Sequence, residues 1–132
     1  MPGTAVADPT WLGLMTAAMA HRGSDGIRHW SDGPVGLAQL TRHTTPESRE
    51  ADLPLAGRDG RIMLVMDGWL ENRDELQRDL AVVGMPLRND SDAELVLAAY
   101  DAWGEASLER IDGDFALALW DGRRSTLVGA RD

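Results

Sequence analysis

Met66-Asp67-Gly68-Trp69-Leu70-Glu71-Asn72-Arg73-Asp74-Glu75-Leu76 contains the change of period that decides the fold. Just upstream, Arg61-Ile62-Met63-Leu64-Val65-Met66 is apolar at nearly every position, which predicts a strand covered on both faces. Downstream, Asn72 with Glu75 three residues later has the spacing of a capping box, which satisfies backbone N–H groups left open by the first helical turn. Leu76, Leu80 and Val83 then form an apolar stripe, and Gly84 supplies the stop.

The pattern repeats on the C-terminal side. Ser91 and Glu94 form a second box, Val96, Ala99, Tyr100 and Trp103 a second stripe, and Gly104 a second stop. Residues 114–120 are mostly apolar, Asp121-Gly122 signals a two-residue hairpin, and residues 125–130 form the returning strand. On the N-terminal side, residues 4–7 make a short strand candidate, and Asp8-Pro9 opens a helix with Leu12, Met15 and Met19 on one face. Residues 22–26 read as a loop, 27–30 as a strand, 31–33 as a turn, 34–41 as a strand and 44–60 as a loop. Strands, two helices and then a hairpin predict an α+β fold with a mainly antiparallel sheet. No repeat or linker divides the chain, so one domain is expected over residues 1–132, ending directly after a strand as though truncated.

Composition narrows the function. The chain is 43% hydrophobic and 27% charged, enough for a real core, and its net charge of -9 disfavours a nucleic-acid partner. It has no apolar run of roughly 18 residues and no basic-then-apolar leader, so no membrane partner is expected and a cytoplasmic location is. Cysteine is absent, and with it disulfides, zinc–thiolate sites and thiol nucleophiles. His21, His29 and His43 have no metal-ligand spacing, and Asp74 among the acids Asp67, Asp74 and Asp92 belongs to a helix first turn, so no metal is expected. Gly23-Ser24-Asp25-Gly26 lacks the spacing of a phosphate loop, so no cofactor is expected in this segment. Trp11, Trp103 and Trp120 fall in apolar stripes or strands and are expected in the core.

Five motifs together resemble the asparagine synthetase family. His21-Arg22-Gly23-Ser24-Asp25-Gly26 resembles its HRGPDG loop, and the stretch from Met66 to Leu76 resembles FNGEIYNYREL. Ser91-Asp92-Ala93-Glu94 with Ala98-Ala99-Tyr100 and Trp103-Gly104 resembles SDTE…AAYxxWG. Residues 108–116 resemble LERLNGMFA, and Leu127-Val128-Gly129-Ala130-Arg131-Asp132 resembles LFLARD. The resemblance implies a class II glutamine amidotransferase domain with the N-terminal-nucleophile hydrolase fold, an αββα sandwich. It also implies further strands and an ATP- and Mg2+-binding synthetase domain beyond this segment.

The same resemblance places the family's glutaminase residues on positions that have changed. The family's nucleophilic N-terminal cysteine falls on Pro2, and Thr4 would serve only after trimming. The oxyanion-hole NG pair falls on Asp67-Gly68, where a carboxylate opposes the developing negative charge. The glutamate that holds the glutamine ammonium falls on Trp69, and the arginine for its carboxylate falls on Thr41, with Arg42 one residue away and so on the opposite face of a strand. Asp92 alone matches a glutamine-binding residue, and His21, Arg22, Gly23 and Asp25 form the loop motif.

The resulting expectation is a segment with no catalytic residue: a vestigial amidotransferase domain of an ATP-dependent amide ligase. It resembles most closely the branch of β-lactam synthetase and the lasso-peptide macrolactam cyclases, through Thr44-Thr45-Pro46-Glu47-Ser48 and the xDGxxxNRDEL form. Its expected partners are its own C-terminal synthetase domain or another chain, and a precursor peptide. Two alternatives stand beside this: an asparagine synthetase domain, ammonia-dependent or glutamine-hydrolysing in ancestry, and a free-standing regulatory module.

Overall fold

The computed structural model describes residues 6–23, 25–41 and 53–132. Pro2, Thr4, Ser24, Arg42, His43 and residues 44–48 lie outside the described residues. The chain divides into two compact units, Met1–Thr44 and Thr45–Asp132. Helices and antiparallel sheets make it an α+β fold, in agreement with the sequence expectation.

In the first unit, helix α1 (Pro9–Ala18) starts as expected: Asp8 Oδ1 accepts from Thr10 N at 2.8 Å, and proline occupies the first turn. A short 3-10 turn (Ala20–Arg22) leads to the antiparallel hairpin of β1 (Gly26–Asp32) and β2 (Val35–Thr41). Residues 6 and 7 of the expected first strand are not in a strand, although Ala7 N donates to Gly33 O.

The buried side of α1 differs from the expected stripe. Thr16 is buried, whereas Trp11, Met15 and Met19 are exposed, so Trp11 is no core residue. The cause is the hairpin that the helix meets. A side chain at Gly36 would touch Leu12, and the Thr16 hydroxyl lies 2.8 Å from His29 Nε2. Leu12 and Thr16, one turn apart, thus face inward, and Trp11, Met15 and Met19 are left exposed.

In the second unit, strands β3 (Leu55–Ala56), β4 (Ile62–Leu70), β5 (Gly113–Asp121) and β6 (Thr126–Arg131) form an antiparallel sheet in that order. The short β3 falls in the stretch expected to be loop. Ile62, Leu64, Met66 and Leu70 share a core with Phe115, Leu117, Leu119 and the helices α2 (Arg73–Val82) and α3 (Asp92–Trp103). Met63 is also buried and Val65 half-buried, so β4 is covered on both faces over residues 62–66, as the apolar run predicts.

Helix α3 is buried on all sides over residues 93–100, a wider burial than a single stripe. Ser91 caps it by accepting from Glu94 N, and Gly104 ends it at φ 63 before a 3-10 helix (Gly104–Arg110). The other half of the expected box is absent. The Glu94 carboxylate is 2% exposed and is held by Arg88, with Nη2 to Oε2 at 2.8 Å, while Ser91 N donates to Asn89.

The box at Asn72 does not form either. Its side chain is spent on the segment before β5, with Nδ2 donating to Arg110 O at 2.7 Å and Oδ1 accepting from Asp112 N at 3.0 Å. Leu76 and Leu80 are buried as expected, but the helix ends before Val83, which is exposed.

The hairpin between β5 and β6 also departs from expectation. Asp121 pairs with Thr126, so the loop comprises four residues, 122–125. Asp121 is fully buried because its carboxylate accepts from the Tyr100 hydroxyl at 2.9 Å and from Arg123 N and Nε at 3.0 and 3.2 Å. Trp120 is buried as expected, and half-buried Trp103 stacks under the Arg110 guanidinium at 4.1 Å.

Burial pushes the Asp121 carboxyl up, but the hydrogen bonds from Arg123 and Tyr100 outweigh it and hold the group below the usual carboxylate value. Burial, then the bond to Asp121, raises the Tyr100 hydroxyl. A depressed folded-state value stabilises the protein above the unfolded value of about 4, and that stability is lost as pH falls through the folded value. Asp121→Ala is expected to cost about 3 kcal/mol in urea unfolding at neutral pH, because it leaves Arg123 and Tyr100 without their acceptor. The loss is expected to shrink as the pH falls below about 4, the unfolded value, and to vanish once it passes the depressed folded value, where the wild-type carboxylate is itself protonated.

Candidate functional site

Asp67, Gly68 and Trp69, onto which the resemblance carries pocket residues, lie where the backbones of β4 and β5 approach closely. Gly68 has φ 107, and a Cβ there would strike the Asp114 carbonyl oxygen and Phe115 Cα. Gly113, opposite Leu70, has φ 155, and a Cβ there would strike the Trp69 carbonyl oxygen. Glycine is required at both positions by the neighbouring backbone. Met66 and Leu70 point into the core, so Asp67 and Trp69 fall by alternation on the opposite face, and both are exposed.

Asp92 lies beside this segment but is turned to a structural task. Its Oδ2 accepts from Leu70 N at 3.1 Å, and its Oδ1 lies 3.1 Å from Arg73 Nη1. Arg73 also donates to Asp90 O. One carboxylate therefore joins the end of β4 to the first turns of α2 and α3. The Asp92 side chain is 14% exposed, and the cap of α3 is made by its neighbour Ser91.

The remaining described site residues sit together in the first unit. Thr41 ends β2, is half-buried, and accepts from Asp25 N at 2.9 Å through its carbonyl. A side chain at Gly23 would come within 2.7 Å of Leu40 Cβ, so the loop folds closely onto the strand end. His21 and Arg22 are exposed in the 3-10 turn.

Asp67 presents an exposed carboxylate, and the sequence holds no thiol. Among the described residues no group of three His, Cys, Asp or Glu could hold a metal ion, and no helix is long and apolar enough to cross a membrane. Sequence reasoning missed Arg73 and Arg88, whose pairing with Asp92 and Glu94 joins residues far apart in the pattern, and it took Asp121 for a turn residue. A buried acid in need of a cation was the available signal: each of the three has its arginine within 19 residues, but no periodicity selects which one.

Gly68→Ala is expected to destabilise the second unit by about 3 kcal/mol or more, through the backbone clash and the positive φ together. Gly129→Ala, where a Cβ meets nothing within 4 Å, is expected to change stability by less than about 1 kcal/mol. Urea unfolding of the two variants checks the contrast.

The comparisons with known proteins agree with the motifs. The family profile described as glutamine amidotransferase domain matches residues 4–132. Asparagine synthetase [glutamine-hydrolyzing] 1 of Bacillus subtilis is 30% identical, over 89% of this chain and 18% of its own length. An asparagine synthetase [glutamine-hydrolyzing] of Triphysaria versicolor is 31% identical, over 89% of this chain and 20% of its own. The amidase chyE of Penicillium rubens is 31% identical, over 86% of this chain and 17% of its own. The chain therefore spans about a fifth or less of each of these relatives, and what it shares with them is one domain. This chain belongs to the glutamine amidotransferase domain family.

Proposed function

We propose that this chain is a catalytically vestigial amidotransferase domain, retained as a scaffold within an ATP-dependent amide ligase of the macrolactam-forming, lasso-cyclase kind. The observation that carries the proposal is the absence of any cysteine from a sequence that matches the family from residue 4 to residue 132. Asp67 and Trp69 at positions where the family uses an amide and a carboxylate support it, because a restored thiol alone would not rebuild the pocket. The fold supports the scaffold role: α3 is buried over residues 93–100, and the inward carboxylates of Asp92, Glu94 and Asp121 are matched to arginines.

Such a ligase needs no ammonia from glutamine. In the parent protein, a substrate carboxylate would attack ATP to give an acyl adenylate and pyrophosphate. An amine already on the substrate would attack the acyl carbon, AMP would leave, and the amide product would be one water lighter than the peptide. ATP and Mg2+ belong to the synthetase part of that protein. The identity with asparagine synthetases favours a second reading, in which the parent makes asparagine from aspartate and free ammonia.

Full-length parent protein incubated with ATP, Mg2+ and a cleaved precursor peptide is expected to yield a product one water lighter by mass spectrometry, with pyrophosphate. Asparagine formed from aspartate and ammonium, with no peptide product, would replace the first reading by the second. Neither product nor pyrophosphate with either substrate set would contradict both.

A further inference from the structure

We draw no further inference here: the strongest candidate, the apolar face of α1 on which Trp11, Leu14 and Met15 are exposed, carries none, because nothing in the structure shows what covers it.

Discussion

The backbones of β4 and β5 approach so closely at Gly68 and Gly113 that neither position admits a side chain. That constraint fixes the second unit. It keeps Met66 and Leu70 in the core with Phe115 and Leu117, and it commits Asp67, Trp69 and Asp114 to the outward face. The glycine of the family's NG pair is thus needed for the ladder itself, whatever chemistry the neighbouring residue performs. Asp67 and Trp69 can change without disturbing that ladder, because their side chains are exposed.

Charge does the joining that periodicity does not. Three acids of the second unit have their carboxylates buried or nearly so, and an arginine meets each: Arg73 for Asp92, Arg88 for Glu94 and Arg123 for Asp121. Burying a lone carboxylate is costly, so each pair ties its elements together or strands a charge. Arg88 also donates to Ala56 O, which links β3 to the start of α3, and Arg123 reaches Asp101, which links the last hairpin to the end of α3. Helix α3, surrounded by apolar contacts, is therefore anchored at both ends by ionic ones.

Much of this fold was legible in the sequence where local rules and tertiary structure agree. The apolar run before Asp67 became the central strand, Ser91 became a cap, Gly104 a stop, and Leu76 and Leu80 core residues. The misreadings occur where a side chain found a better partner elsewhere. Asn72 resembles a helix cap by spacing, but the loop before β5 offers it both a donor and an acceptor. Asp121-Gly122 resembles a tight turn, yet the Tyr100 hydroxyl draws the aspartate into the core and lengthens the loop to four residues. Helix α1 is apolar on every side over residues 11–15, so no pattern within it could reveal that Leu12 and Thr16 face the hairpin. Of the candidate site, the sequence located Asp67, Gly68 and Trp69 on or beside a strand, but nothing local disclosed that Asp92 is committed to Leu70 and Arg73.

The account's central claim is that glutaminase chemistry was lost across the pocket and not at one residue. Ammonia release from glutamine by the wild-type chain and by Pro2→Cys, each against a heat-killed control, tests this most directly. No release above the control is expected from either protein, because on the proposed reading a restored thiol alone does not rebuild the pocket. Release by the wild type, or its recovery in Pro2→Cys, would contradict it.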